Sequence, residues 1–514
     1  MNLDQTRASA GAPASSTVQH KGLKSGAIGY LSNLVIAVAS TAPAYSLAAT
    51  LGFLVALKGV GTHAPAVLLV SFVPMLLIAS AYRRLNRADP DAGTIFAWAT
   101  RAIGPMSGWM NGWAIFMAQL IVMAVGAYIA AVYTFKLFGF TELGDSKAAI
   151  ISGAIVWIVL LTWVCYRGIE ISARLQRLLL GMEVCILALF SVVAFVKIFG
   201  THPPSGSIKP ALSWFNPLAM NLGDLLVAVL LGVFIFWGWD SGVAVNEESE
   251  NPSHGPGNAA VVATVLLVLI YLVVTAAAQS FHGTAFLASA ENSNDVLDAL
   301  GRGVLGEPLN KLLIFSVLTS AAASTQTTIL PTARTALSMA QWKAVSSVLA
   351  RVHRRHLTPT VSTVGFALLS IVLTVPLLLA KGSVLEDSIT AIGFPICFYY
   401  GFTGVACAIY YRKKLLESTR HFLLLGLAPL TGGLMLWGVS VKAFLYYKDA
   451  EHVAAKPLLG VTLPLWIGIG GMVLGFVIML ASRPLHREYF SRKIETAPAG
   501  LFARRQAVER HQHG

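Results

Sequence analysis

The sequence is poor in charged residues and in cysteine, and each shortage excludes a class of protein. Asp, Glu, Lys and Arg make up 12% of the 514 residues, roughly half of what a soluble chain carries. The four cysteines all fall in apolar segments, without the spacing of a disulfide framework or a metal site. We therefore exclude an ordinary soluble protein, expect no bound metal, and expect all four thiols to be buried: Cys165, Cys185, Cys397 and Cys407.

The net charge of +13 does not indicate a nucleic-acid partner. The basic residues lie in short loops between apolar runs, without a basic face or interleaved aromatic residues. The sequence also lacks a phosphate-binding glycine loop, a zinc motif and a nucleophile elbow. We therefore predict that the chain is not an enzyme, has no cofactor and does not bind nucleic acid.

Long apolar runs dominate the sequence, and 56% of its residues are hydrophobic. Runs of about 20 residues match the roughly 30 Å hydrocarbon core of a bilayer. The fold class predicted is an all-α polytopic membrane protein with twelve spans. We place them at residues 26–57, 64–82, 106–138, 148–166, 175–199, 222–246, 259–283, 310–333, 359–380, 388–411, 421–446 and 461–481.

Lys and Arg residues set the expected orientation in the cell (inner) membrane. An even number of spans puts both termini on one side, and the positive-inside rule makes that side cytoplasmic. No cleavable signal is expected, because the first apolar run begins too late. We further expect an outer helical segment at 283–309 and an amphipathic surface helix within 336–357. The basic loops assigned to the cytoplasm are those around Arg83–Arg101, Arg167–Arg177, Arg334–Arg355 and Arg412–Arg420.

Two spans contain residues that interrupt a helix. The first span carries VASTAPAYS at 38–46, where Pro43 lacks an N–H group and disfavours a helix at Ala42. Ser40 and Thr41 are suited to cap a helix that restarts there. The sixth span carries FIFWGWDSG at 234–242, with two glycines and an aspartate at membrane depth. Each span is therefore predicted to be two half-helices.

The spacing of the interruptions predicts an inverted repeat. Five spans separate the starting points of the two interrupted spans, so the second set of five enters the membrane from the opposite face. Such paired interruptions mark transporters with a midplane solute site. The predicted divisions are a disordered cytoplasmic tail (1–25), a first repeat (26–200), a second repeat (222–412), two further helices (420–482) and a cytoplasmic tail (483–514).

Asp240 is the main candidate within the sixth span, because carboxylates at membrane depth are expensive and commonly functional. It could pair with a solute ammonium, accept a proton or brace the interrupted backbone, and the sequence leaves these open. Phe236, Trp237 and Trp239 flank it around Gly238, and we expect at least one aromatic side chain here to be a gate, with core packing as the alternative for each. Glu247, Glu248 and Glu250 follow, either as a latch paired with basic residues of other inner loops or as a solvated turn.

Four stretches resemble the amino acid–polyamine–organocation superfamily of permeases, and the likeness covers roughly residues 26–480. They are RLNRADPDAGTIFAWATRAIGPMSGWMNGW (84–113), YRGIEISARLQ (166–176), FWGWDSGVAVNEESENP (236–252) and LPTARTALSMA (330–340). The resemblance implies ten core spans plus two, alternating access, and a substrate between the interrupted parts of spans 1 and 6.

The resemblance also implies roles for individual residues. The amides of Ala42, Ala44 and Tyr45 stand where relatives hold a substrate carboxylate, although the glycine-rich turn of those relatives is replaced here by Ser40–Ala44. Glu183 occupies roughly the place of a lysine in proton-coupled relatives. Ser320, Ser324 and Thr325 are placed to offer oxygens to a coupling ion, H⁺ or Na⁺, or else to hold helices together.

The function predicted is secondary-active transport of an amino acid. The alternatives are a permease for a polyamine or another organic amine, and a solute sensor. The expected partners are therefore a small-molecule amino acid or amine and the lipid bilayer.

Overall fold

The computed structural model describes residues 21–293, 295–379, 384–453 and 457–494. Most of residues 1–25 and of 483–514, expected as tails, lie outside the described residues. The described chain is helical. Its α-helices are α1 Tyr30–Thr41, α2 Pro43–Ala56, α3 Ala64–Ala88, α4 Ile95–Ala102, α5 Pro105–Phe138, α6 Thr141–Asp145, α7 Lys147–Arg167, α8 Ile169–Phe199, α9 Leu222–Phe236, α10 Ser241–Ala244, α11 Gly255–Ala288, α12 Val296–Leu305, α13 Lys311–Gln341, α14 Thr360–Leu379, α15 Val384–Tyr410, α16 Thr419–His421, α17 Ala428–Tyr447, α18 Leu463–Leu465, α19 Gly471–Ser482 and α20 Arg487–Phe490.

The described helices include twelve that are long and apolar enough to cross a membrane, which confirms the predicted number. Their outer faces are apolar as well. On α7, for example, the exposed side chains include Val156, Val159 and Trp163. Contiguous apolar surface of this kind is rare on soluble proteins. These faces suit contact with lipid, and the chain is a multi-pass membrane protein.

The spans differ in how deeply they are buried. Within the most apolar 18-residue stretch of each span, 83% of the residues are buried in the span formed by α1 and α2, and 89% are buried in α13. The corresponding share is 33% in the last span, 463–482. The span formed by α1 and α2 is therefore among the most deeply buried, and it packs mainly against α11, α8 and α13. Elsewhere in the bundle α5 packs along α13, α3 along α11, and α15 along α17.

Two predictions about connecting segments have opposite outcomes. The segment 283–309 contains α12, as expected. The prediction of an amphipathic surface helix within 336–357 is wrong, because α13 continues to Gln341 and only a short 3₁₀ turn, Ser347–Ala350, follows. The reason is that Leu337, Met339 and Ala340 are buried, so these residues extend the packed face of a span.

One prediction about cysteine is also wrong. Cys165, Cys397 and Cys407 are buried, but Cys185 is exposed. It lies on α8, where only 39% of the residues in the most apolar stretch are buried. An apolar segment of a membrane protein can place a thiol on its lipid-facing side, and composition alone does not distinguish that side from the core.

Ala42 separates α1 from α2 in a conformation that L-residues rarely adopt. Its φ and ψ are 48° and 69°, in the left-handed region. For a residue with a Cβ this costs roughly 1–2 kcal/mol. Pro43 then opens α2, where its missing N–H group leaves no intrahelical hydrogen bond unmade.

Replacing Ala42 with glycine tests this backbone strain. Glycine adopts a positive φ without a steric penalty, so we expect Ala42→Gly to raise the melting temperature of the detergent-purified protein. The matched control is Ala44→Gly, two residues later inside α2, which should lower stability by about 0.5–1 kcal/mol. Equal destabilisation by both substitutions would contradict the strained junction.

Candidate functional site

The junctions between α1 and α2 and between α9 and α10 are in direct contact. Residues Trp237–Asp240 separate α9 from α10, and Gly238 among them has a φ of 123°. A Cβ on Gly238 would lie 2.6 Å from the Ser40 carbonyl oxygen, so only glycine permits this approach. The Ser40 and Ser241 hydroxyls are hydrogen-bonded at 2.8 Å. The two junctions therefore meet at one place.

Side chains from two other spans satisfy the N-terminus of α2. The Ala44 N–H donates to the Glu183 carboxylate (N to Oε1, 2.7 Å), and the Tyr45 N–H donates to the Ser320 hydroxyl at 3.2 Å. The Ser320 hydroxyl in turn donates to the same carboxylate oxygen at 2.7 Å. A carboxylate at the positive end of a helix is electrostatically favourable. Glu183 thus joins α2, α8 and α13.

The other oxygen of Glu183 has a different environment. Its Oε2 atom is buried and has no hydrogen-bond partner among the described residues. A buried acceptor of this kind is rare in native structures and calls for a proton, a water molecule or an ion. The carboxylate therefore has one oxygen fixed to protein donors and one oxygen available to bind something else.

The hydroxyl groups predicted to bind a coupling ion separate into two groups. Ser324 donates to the Ser40 carbonyl at 3.3 Å, directly at the junction. Thr325 donates to Ala321 within its own helix at 2.7 Å, and its hydroxyl lies against Gly126 of α5. The structure brings Ser324 to the junction and places Thr325 towards another helix.

Asp240 is held by two tyrosines of α15. Each of its carboxylate oxygens accepts one hydroxyl hydrogen bond of 3.0 Å, from Tyr399 and from Tyr400. The indole N–H of Trp237 donates to the Tyr399 oxygen. Asp240 is buried with 5% exposure. Both oxygens are therefore engaged with side chains of α15 rather than with the backbone of the junction.

The aromatic residues around Asp240 form a packed cluster. Trp239 stacks on Tyr400 at a centroid distance of 5.1 Å and meets Tyr82 edge-on at the same distance. Its indole N–H is buried without a partner among the described residues. Phe236 instead packs edge-on against Tyr271, at 5.1 Å. Trp239 is therefore an aromatic residue with an unused donor beside the junction.

The remaining candidates of the first junction have internal roles. The Thr41 hydroxyl donates to the Val38 carbonyl, and the Ala42 N–H donates to Ala39. The Tyr45 hydroxyl is buried without a partner among the described residues, and its ring meets Phe234 edge-on. Of the predicted amides, those of Ala44 and Tyr45 thus donate to other spans, and that of Ala42 caps α1.

Ser241 and Tyr82 were absent from the sequence-based candidates. Ser241 directly follows Asp240, and its position inside the second interruption could have identified it. Tyr82 lies where the apolar pattern of α3 ends, directly before Arg83, and no local signal distinguishes it. Its place at the site depends on how α3 packs.

A buried ionic cluster closes the end of the bundle that carries most of the basic loops. The Lys21 ammonium lies 2.6 Å from Asp91 and 2.5 Å from Glu247, with all three residues buried. Burial alone would raise the pKa of Asp91, but the Lys21 ammonium outweighs it and holds that pKa at about 2. Lys21 was expected within a disordered tail, and its two carboxylate partners explain why it is fixed instead.

A second buried pair lies beside the first. Arg334 donates two hydrogen bonds to the Glu248 carboxylate, of 2.5 and 2.8 Å. The Glu248 carbonyl accepts from the N–H groups of Ala27 and Ile28. Of the acidic residues predicted to form a latch or a solvated turn, Glu247 and Glu248 are therefore paired and buried, whereas Glu250 is exposed.

The opposite end is covered by α12. Asp295, just before this helix, accepts hydrogen bonds from Tyr133 and Lys136 of α5. The backbone of Ser293 lies so close to α2 that a Cβ on Gly52 would be 2.3 Å from its Cα. The two junctions are thus covered by the buried ionic cluster at one end of the bundle and by the contacts of Asp295 and Ser293 at the other.

The sequence model of the amino acid permease family matches residues 28–470, which include both junctions and all the candidate residues. The chain belongs to this family. The resemblance found in its motifs is therefore confirmed, and the family is one of transporters rather than enzymes. The match ends before α19, so the last span of this permease lies mostly outside it.

Curated relatives of the permease carry different solutes in their names. The chain is 26% identical to the Asc-type amino acid transporter 1 of Mus musculus over 60% of its own length and 58% of the relative's. It is 24% identical to the methylthioribose transporter of Bacillus subtilis, over 42% and 48%. It is 27% identical to a probable polyamine transporter of Arabidopsis thaliana, over 41% of each chain. The chain thus covers less than two thirds of each of these relatives.

Removing the charge of Glu248 tests the buried pair of the permease. Breaking such a pair leaves an uncompensated buried charge and costs about 3–5 kcal/mol, so we expect Glu248→Gln to lower the melting temperature strongly. Glu250→Gln is the control, because Glu250 is exposed in the same turn and should change stability by less than about 0.5 kcal/mol. A Glu248→Gln protein as stable as the control would refute the buried pair.

Proposed function

We propose that the protein is a secondary-active amino acid permease whose solute binds where the two junctions meet. The observation that carries this proposal is the contact between Ser40 and Ser241 at the close approach of Gly238, beside the buried Asp240. Interrupted helices in contact at the centre of a bundle are typical of transporters with a midplane site. The proposed substrate-binding set is Ser40, Thr41, Ala42, Ala44, Tyr45, Phe236, Trp237, Gly238, Trp239 and Asp240.

The proposed architecture is a pair of inverted repeats. Residues 26–200 form the first and 222–412 the second, with discontinuous first and sixth spans, and 420–482 add two helices. The junctions occupy corresponding places, after α1 and after α9, which supports this division. We also propose that both termini face the cytoplasm of an inner membrane, since the basic loops gather at one end.

Glu183 is the proposed coupling group. Its ionised carboxylate occupies the α2 amide that a substrate carboxylate would use, through the 2.7 Å bond from Ala44. Protonation of the carboxylate removes its charge and weakens its hold on a positive helix end. A substrate carboxylate then replaces it at Ala44. Proton binding and substrate binding are thereby linked, because one helix end serves two carboxylates in turn.

An organic amine is the second candidate substrate. The occupied amides of Ala44 and Tyr45 favour it, because an amine without a carboxylate leaves Glu183 in place. The name of the Arabidopsis relative points the same way. Amino acids and their decarboxylated analogues should therefore be compared as competitors for uptake. Equal inhibition by both classes would favour the amine carrier.

Uptake by reconstituted vesicles tests the transport proposal. A panel of radiolabelled amino acids and amines is offered, with Na⁺ and pH gradients imposed separately. We expect the unmodified protein to accumulate an amino acid and Asp240→Asn to lose this accumulation. The asparagine amide is neutral and has a single oxygen, so it cannot accept hydrogen bonds from both tyrosine hydroxyls as the carboxylate does. The melting temperature should change little. Asp224→Asn, at the start of α9, is the matched control.

Accumulation by neither the protein nor the control would overturn transport of the tested solutes. Near-normal uptake by Asp240→Asn would instead overturn the central role of Asp240 alone.

The variant Glu183→Gln separates coupling from binding. Glutamine still accepts a hydrogen bond from Ala44 but does not titrate, so we expect solute exchange to persist while accumulation driven by a pH gradient disappears. Glu170→Gln removes an exposed carboxylate from the same helix and should behave like the unmodified protein. Retained pH-driven accumulation in Glu183→Gln, or accumulation driven only by Na⁺ in the unmodified protein, would contradict proton coupling through Glu183.

A further inference from the structure

An arginine-rich cavity lies between the last turns of α3 and the start of α11, away from the site described above. Its volume is 240 Å³, below the roughly 300–1,000 Å³ of pockets for drug-sized ligands. No carboxylate is among its lining residues, which are Arg83, Arg84, Arg87, Ser253, His254 and Asn258.

Two of the arginines that line this cavity, Arg83 and Arg84, are poorly compensated. Arg83 and Arg84 form no salt bridge within the described part of the chain, and the Arg84 Nε atom is buried without a hydrogen-bond partner there. Arg83 and Arg420 both repel the Arg84 guanidinium. Removing a guanidinium from water without a partner is costly. An anion in the cavity would supply the missing partner.

The framework of the cavity is fixed by independent contacts. Asn86, between the arginines, donates to the carbonyls of Pro252 and Ser253 at 2.8 and 3.3 Å. A Cβ on Gly257 would lie 2.7 Å from the Arg83 Cα, so α3 and α11 are in backbone contact. The arginines are therefore held at a defined distance from the first turn of α11, whose positive end also favours an anion.

We propose that this cavity binds a phosphate group. The planar guanidinium matches phosphate oxygens with two parallel hydrogen bonds. The cavity lies at the ends of two candidate membrane spans, where basic pockets between helices suit phospholipid headgroups. The phosphate belongs either to an anionic lipid or to a soluble ion, and both present the same chemistry. Bound there, it joins the ends of α3 and α11.

Binding is measured on the full-length protein in an uncharged detergent. One probe is inorganic phosphate, added at constant ionic strength against chloride. The other is dioctanoyl phosphatidylglycerol, compared with dioctanoyl phosphatidylcholine. The melting temperature reports occupancy, and native mass spectrometry counts the retained lipid. The pocket variant is Arg83→Gln with Arg87→Gln, and the control is Arg351→Gln with Arg354→Gln, two exposed residues whose replacement removes the same charge.

We expect an anionic probe to raise the melting temperature of the unmodified protein and of the control. The pocket variant should bind it at least about tenfold more weakly, since charged hydrogen bonds are lost. Binding of the lipid alone identifies the headgroup as the source, and binding of inorganic phosphate alone identifies a soluble ion. The proposal is overturned if neither probe binds, or if the pocket variant and the control bind equally.

Discussion

Main-chain N–H and C=O groups must be paired where water is scarce, and this constraint decides the structure around the two junctions. A helix that stops inside a bilayer leaves such groups without intrahelical partners. Here side chains from other spans supply many of them. Glu183 and Ser320 take amides of α2, Ser324 takes the Ser40 carbonyl, and Tyr271 donates to the Ile235 carbonyl at the end of α9. The junctions thereby determine which spans surround them.

The proposed function adds a role for one of these partners, Glu183. A carboxylate supplied by the protein occupies a helix end that would otherwise attract a carboxylate of the solute. The arrangement is stable in the absence of solute, because the helix end keeps a negative partner. Under the proposed mechanism, the solute would compete with a titratable group for one backbone donor. Selectivity and energy coupling would then depend on the same hydrogen bond, rather than on separate sites connected over a distance.

The sequence was most informative where a residue type has few structural uses. Pro43 and the pair Gly238–Asp240 located both junctions, because each is costly in a continuous membrane helix. It was least informative where pairing depends on tertiary packing. Tyr82 and the exposed face of Cys185 follow from helix rotation, which hydropathy does not encode. Lys21 was expected in a disordered tail because its local composition is polar, whereas its carboxylate partners lie 70 and 226 residues away.

Ser40 links three helices through two different atoms. Its hydroxyl reaches Ser241 of α10, while its carbonyl accepts from Ser324 of α13. The end of α1 is consequently tied to α10 and α13 as well as to its own continuation, where the Ser46 hydroxyl of α2 donates to the Thr41 carbonyl at 2.6 Å. Any tilting of α1 would carry α10 with it and pivot at Ala42, while α2 stayed with Glu183. The hinge of the molecule and its solute contacts would then be separated by only one peptide unit.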